Sequence, residues 1–387
     1  MRKSFFDAFA EITDGATSSD HLTNLTGFGT NPGALRARVH VPERLSERPA
    51  LVVVLHGCTQ TAGDYDRGSG WSRLADRHGF VLLYPQQTNR NNPKACFNWF
   101  QTGDTQRDRG EALSIRQMVE AAIEAHGIDR GRVFVTGLSA GGAMTAVMLA
   151  TYPEVFAAGA IIAGLPYGAA ASVQDALDAM FAGRSYPARD WGDRVRAASP
   201  HRGPWPRLSI WHGATDTIVK PLNAAELIKQ WTDVHGLPAR PTRQMRVSGQ
   251  VREVWTDATG REVIESFTVA GMGHGTPLHV GPGDDRGGVA GPFLLDVGIS
   301  SSHHIAAFWG LTEPVAAREA PRALAPARLE ALNGEVIPPS AGRKAEEEHE
   351  APGFGEGILK GLSSGGVKPE IVSTIRSAFQ AAGLTAR

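Results

Sequence analysis

The sequence predicts an α/β protein in which a mostly parallel sheet is doubly wound with helices, and three observations carry that expectation. Short β-branched runs alternate with amphipathic stretches from residue 35 to about residue 310, the rhythm of a sheet covered on both faces. Three of the runs, LVVVL at 51–55, FVLLY at 80–84 and AIIA at 160–163, are apolar throughout, as strands buried on both faces are. Between the runs, GEALSIRQMVEAAIEAHG and AAELIKQWTDVHG keep helical spacing and end at glycine, which closes helices by adopting a left-handed conformation.

Taken in order, RARVHV is the first expected strand, followed by LVVVLHG, FVLLYP, RVFVTG, AGAIIAG and LSIWHG. The stretch VREVWTDATGREVIESFTV then reads as an antiparallel hairpin turning at DATG. Residues from about 165 to 206 break the rhythm with Pro166, Pro187, Pro200, Pro204 and Pro206, and read as a lid-like insertion covering one end of the sheet. After residue 311 the chain turns rich in alanine, proline and charge and poor in large apolar side chains. The expected organisation is therefore an N-terminal extension at 1–34, a main domain at 35–311, a linker at 312–352 and a helical tail at 353–387.

Composition narrows the partners. With 39 basic against 40 acidic residues among 387, net charge supplies no general attraction to nucleic acid or to an anionic membrane. No run of 18 apolar residues is present, so no membrane span is expected. The N-terminus MRKSFFDAFAEITDGA has Asp7 and Glu11 where a secretory leader needs an unbroken apolar core, which points to a cytoplasmic location. Two cysteines exclude a disulfide-rich scaffold and a multi-cysteine zinc site. The acidic run EEEHE at 346–350 reads as a solvated charge cluster, and no phosphate loop or dinucleotide fingerprint occurs, so neither metal nor cofactor is expected.

Chemistry enters through a doubled motif, GLSAGG at 137–142 and GLSSGG at 361–366. Both contain G-x-S-x-G, in which a serine is exposed at a tight strand-to-helix turn. Ser139 has the required context, with RVFVT before it and AGGAMTAVMLATYP after it. Ser363 follows the helix-like EGILK, and no histidine lies beyond it, so GLSSGG reads as a turn between helices. A serine hydroxyl attacks only when a neutral imidazole takes its proton, and the imidazole needs a carboxylate to orient it. The loops after two later strands offer Asp216 in LSIWHGATDTIVK and His274 in FTVAGMGHGTPL. The order Ser139, Asp216, His274 is that of an α/β-hydrolase. His279 is the nearest rival base, whereas His56, His212, His303 and His304 read as structural. Backbone amides of Cys58, in the loop LHGCTQTAGDY, and of Ala140, after the nucleophile, are the expected oxyanion donors. Trp99, Trp205 and Trp211 are candidates for a flat apolar surface against an aliphatic acyl chain.

Together, LHGCTQTAGDY, FVLLYPQQTNRNNPKACFNWF, GLSAGG and GMGHGTP resemble the poly(3-hydroxybutyrate) depolymerase family of esterases, itself akin to feruloyl and acetylxylan esterases. The resemblance covers about residues 35–310 and implies an α/β-hydrolase fold, a Ser139, Asp216 and His274 triad, and Cys58 and Ala140 as oxyanion donors. It also implies a Cys58–Cys96 bridge, through a segment similar to the family's Cys-x-Asn-Trp stretch. Such a bridge argues for an extracellular or periplasmic location, against the leaderless N-terminus. The implied activity is cofactor-free hydrolysis of hydroxyalkanoate esters, oligomers or amorphous polyester. The alternatives are a feruloyl or acetyl esterase on polysaccharide, a poly(amino acid) hydrolase, and a non-catalytic granule-binding protein. The chain shows no β-rich substrate-binding domain after residue 311, unlike family members that attack crystalline polymer.

Overall fold

The structure is a computed structural model and describes residues 21–313. Residues 1–20 and 314–387 lie outside the described residues, and with them Ser363, the acidic run, almost all of the linker and the whole helical tail.

The chain opens with β1 (Thr23–Leu25), β2 (Arg36–His40) and β3 (Leu51–Leu55), then α1 (Ala62–Ser69), α2 (Trp71–His78), β4 (Val81–Gln86), α3 (Thr102–Thr105) and α4 (Gly110–His126). The centre is β5 (Val133–Leu138), α5 (Ala140–Thr151), β6 (Ala158–Ile162), α6 (Val173–Phe181), α7 (Ala188–Ala197), β7 (Arg207–Gly213) and α8 (Leu222–His235). The described part closes with β8 (Arg243–Val247), β9 (Gln250–Thr256), β10 (Glu262–Val269), β11 (Thr276–Leu278), β12 (Leu294–Asp296) and α9 (Ser301–Phe308). The main sheet runs β1-β2-β4-β3-β5-β6-β7-β10-β9-β8. Its inner strands from β4 to β10 are parallel, with β2 antiparallel at one side and the β9–β10 and β8–β9 hairpins at the other.

The continuous apolar runs follow from burial on both faces. In β3, Leu51, Val53 and Leu55 point into a core layer shared with α4, α5 and α8, while Val52 and Val54 point to the opposite layer with α1, α2 and α9. All five residues are buried, and each such side chain contributes about 2 kcal/mol of hydrophobic stabilisation. Helix ends follow the sequence signals. Thr61 caps α1 by accepting from the Asp64 amide, and Gly70, Gly79, Gly127 and Gly236 end α1, α2, α4 and α8 in the left-handed conformation.

Three features differ from the sequence expectation. The sheet takes in β1, so the domain begins before residue 35. At the far edge β8, with the sequence RQMRV, has no apolar run and lies largely exposed, and charge on an edge strand discourages pairing with another chain. The 165–206 region folds as α6 and α7, whose Ala176, Ala179, Trp191 and Val195 join the α8-side core layer.

Candidate active site

Ser139 stands between β5 and α5 with φ 57° and ψ −115°, a strained conformation for a residue with a side chain. Its neighbours make the turn sterically feasible. A Cβ on Gly137 would lie 2.4 Å from Gly141, and one on Gly141 would lie 2.2 Å from the Leu55 carbonyl oxygen and 2.6 Å from that of His56. The glycines of GLSAGG are thus required by the close approach of α5 to the end of β3. The Ser139 amide donates to the Ile162 carbonyl at 2.9 Å, tying the turn to β6. The serine itself is only half-buried.

Asp216 lies just past β7 and His274 just past β10, the parallel neighbour of β7. Their loops are stitched together by the Thr215 amide and hydroxyl, which donate to the Met272 carbonyl at 3.0 and 2.9 Å. A Cβ on Gly213 would come within 2.3 Å of the Met272 and Gly273 carbonyls, so a side chain there would hold the loops apart. His274 Nδ1 donates to Asp216 Oδ2 at 2.7 Å, and the amides of Ile218 and Val219 donate to Oδ1 at 2.9 Å each. Burial alone would push the Asp216 carboxyl up. Hydrogen bonds from His212, His274 and the Val219 amide, with the charge of His274, carry it well below the ordinary range instead. With Nδ1 donating to Asp216, the neutral tautomer of His274 carries its lone pair on Nε2, the nitrogen able to act as a base.

The amide hydrogens around Cys58 have separate duties. Gly57 donates to Gln60 Oε1 at 2.8 Å, Thr59 to the Lys94 carbonyl at 2.7 Å and Gln60 to the Gly57 carbonyl at 3.4 Å. Ala140 is the first residue of α5, so its N–H has no partner within the helix. The closeness of Gly141 to Leu55 and His56 sets this helix start beside the Cys58 loop. Cys58 is joined to Cys96 by a disulfide.

The other candidates separate by burial. His56 Nδ1 donates to the Gly57 carbonyl at 2.7 Å and its Nε2 accepts from the Gln87 amide at 3.1 Å, while burial pushes the ring down to about 4 and keeps it neutral. His212 donates from Nε2 to the Val219 carbonyl at 2.8 Å, and the same nitrogen stands 3.4 Å from Asp216 Oδ2. His279 forms a β-bridge with Gly287, and its Nδ1 lies 3.9 Å from Asp285 rather than beside Asp216. Of the tryptophans, Trp211 is a core residue, a correction to its expected place on a substrate surface. Its ring stacks on Phe267 of the neighbouring strand at 3.8 Å and its indole donates to Ser209 at 2.9 Å. Trp99 is also buried, edge-on to Phe100, so it too is packed as core. Trp205 is half-buried against His201.

The sequence reading missed Glu111, in the first turn of α4. Its carboxylate is fully buried and accepts from the Asn98 amide, from Gln87 Nε2 and from Asn91 Nδ2. Burial, followed by the charge of Asp104, pushes it up to about 8 against the pull of those donors. No local signal marks it, because an acidic residue in a first helical turn is ordinary. Among the described residues no three His, Cys, Asp or Glu side chains gather as a metal-ligand set, and no helix is long and apolar enough to cross a membrane.

Comparison with known proteins adds four findings. Residues 36–255 match the family model described as esterase PHB depolymerase. The chain is 46% identical over 313 residues to poly(3-hydroxyalkanoate) depolymerase C of Paucimonas lemoignei, covering 80% of this chain and 75% of that protein. An acetylxylan esterase of Coprinopsis cinerea is 38% identical over 263 residues, with 66% of this chain and 69% of that protein covered. Among solved structures, the acetyl xylan esterase from Aspergillus awamori superposes with a TM-score of 0.64 at 26% identity, covering 75% of this chain and 99% of that one.

Proposed function

The chain belongs to the PHB depolymerase family of esterases, carboxylic ester hydrolases of the α/β-hydrolase type, and from that premise we propose that it cleaves hydroxyalkanoate esters, oligomers or amorphous polyester through an acyl-enzyme on Ser139. The Ser139 hydroxyl attacks the ester carbonyl carbon while His274 Nε2 takes its proton, and Asp216 stabilises the resulting imidazolium. The N–H groups of Cys58 and Ala140 receive the oxyanion, where such donors lower the barrier by several kcal/mol. Collapse breaks the bond to the alcohol, which leaves with the proton from His274. A water deprotonated by His274 then attacks the acyl carbon, releasing the acid and restoring Ser139.

The observation that carries this reading is the 2.7 Å bond from His274 Nδ1 to the buried Asp216, two strands from a serine strained at φ 57° at the same end of the sheet. Ser139→Ala is expected to lose about a thousandfold or more in turnover of a short-chain nitrophenyl ester, while Ser363→Ala retains it. Full activity in both variants overturns the assignment.

A polyester-type substrate is favoured by the 46% identity to the Paucimonas depolymerase. The acetylxylan esterase relatives support a second reading, with the same triad acting on acyl groups of a polysaccharide. Hydrolysis of hydroxybutyrate oligomers, feruloyl esters and acetylated xylan side by side separates the two. Faster cleavage of the polysaccharide esters would replace the first reading by the second.

A further inference from the structure

We propose that Glu111 is a positioning residue for the oxyanion hole, acting through the 87–98 segment on the backbone amide of Cys58. The proposal rests on the serine-esterase reading above. The loop from His56 to Gln60 follows β3, and three attachments connect it to a single stretch of chain. His56 Nε2 accepts the Gln87 amide at 3.1 Å, the Thr59 amide donates to the Lys94 carbonyl at 2.7 Å, and Cys58 is bridged to Cys96. The stretch that bears all three anchors contains no helix or strand between residues 87 and 98 and is held by turn bonds, such as the Ala95 amide to the Asn92 carbonyl at 2.8 Å, together with side-chain contacts.

Glu111 supplies the central contacts. One carboxylate oxygen accepts from Gln87 Nε2 and from Asn91 Nδ2 at 3.2 Å, and the other accepts the Asn98 amide at 2.9 Å. Gln87 Nε2 also donates to the Cys96 carbonyl at 3.1 Å, and Asn91 Nδ2 also donates to Gln87 Oε1 at 2.9 Å. Each anchor of the Cys58 loop is therefore within a few bonds of this carboxylate. Of the buried residues near it on α4, Ala112 and Ile115 are apolar and pack as core, and Ser114 accepts the Gly33 amide at 2.8 Å. A fully buried carboxylate with no cation among these partners is costly unless donors surround it, and the donors here all belong to the segment that carries the anchors. Small displacements suffice to matter, because a misplacement of about 1 Å at a reacting centre costs about a hundredfold in rate.

The experiment compares the full-length wild type with Glu111→Gln, Asn91→Ala and Glu226→Gln. Glu226 is a buried carboxylate on α8 whose partners Trp191, Ser185, Tyr186 and Lys229 lie outside both the Cys58 loop and the 87–98 segment. The measurements are kcat and KM on nitrophenyl butyrate, melting temperature, and inhibition by an aliphatic trifluoromethyl ketone, whose serine adduct carries an oxyanion. Assayed at about pH 9, above the titration of Glu111 at about 8, Glu111→Gln places an amide NH2 where an accepting carboxylate oxygen stood, and kcat is expected to fall about tenfold with KM within about twofold, the signature of a lost transition-state contact. Ketone affinity should fall by a similar factor, and Asn91→Ala should show the same pattern at about threefold. The proposal is overturned if both variants keep kcat within twofold, if KM rises in step with the loss, or if Glu226→Gln loses as much kcat at the same melting temperature. Should Glu111→Gln not fold, Asn91→Ala decides by the same criteria. Fluorophosphonate labelling of Ser139 in the wild type separates the two levels: a labelled, active wild type with unaffected variants sinks only the role of Glu111, whereas an unlabelled, inactive wild type sinks the esterase mechanism itself.

Discussion

At the scale of single residues, the site is a set of groups each placed by a specific close approach. Gly141 permits α5 to start against the end of β3, so Gly141→Ala would drive a methyl group to 2.2 Å from the Leu55 carbonyl. A cost of about 1–3 kcal/mol or more is expected from such overpacking, read as a lowered denaturation midpoint together with lost ester turnover. Asp216→Asn removes the charge that fixes His274, and turnover should drop about 10³- to 10⁴-fold while the melting temperature at neutral pH falls far less steeply. The sign of the pH effect follows from the lowered native titration of Asp216. Its ionised form contributes stability that is fully present above about pH 4 and is lost as pH falls through the native value. The stability gap between wild type and Asp216→Asn should therefore narrow on acidification, as denaturant titrations across that range would detect. A gap that widens on acidification would contradict the assignment of that charge. Ser139, Asp216 and His274 stand out as candidates at this scale because each sits in a short loop flanked by strong strand signals. Trp211 was misread because a lone tryptophan carries no local mark of which face of a strand it occupies.

At the scale of elements, α4 links a helix start to an irregular loop through Glu111. The native chain holds the Glu111 proton more tightly than the unfolded chain does, since burial and Asp104 raise its titration to about 8 from an ordinary 4.5. This contribution to stability is full below about pH 4.5 and is lost as pH rises through about 8. Between these limits the melting temperature of Glu111→Gln should depend less on pH than that of the wild type, and equal slopes in calorimetric scans would exclude the titration. Elements with continuous apolar runs, such as β3 and β4, were legible from sequence because burial on both faces leaves no polar positions. The edge elements β1 and β8 were not, because a strand of three residues or one half exposed has no pattern that separates it from a loop.

At the scale of the whole molecule, the fold gathers loops from the ends of β3, β5, β7 and β10 at one edge of the sheet, the usual place for ligands in open α/β sheets. The Cys58–Cys96 bridge closes a loop of 38 residues between two of its parts, and by the chain-entropy argument such a loop is worth about 2–4 kcal/mol. Replacing both cysteines by alanine should lower the urea midpoint accordingly and also reduce kcat, because the bridge ends at Cys58, whose amide is the proposed oxyanion donor. A variant that loses stability while retaining full kcat would separate the bridge from catalysis. By itself the sequence determined the strand and helix rhythm and the family resemblance, and it nominated Ser139 ahead of Ser363, with Asp216 and His274 as the acid and base that follow it. These are carried by side-chain periodicity and by neighbours within about ten residues along the chain. Only the tertiary structure decided that Trp211 and Trp99 are core, that His279 stands apart from Asp216, and that Glu111 lies beneath the 87–98 segment. Burial and hydrogen-bond partners are set by segments far apart in the chain, and no local pattern records which of them will meet.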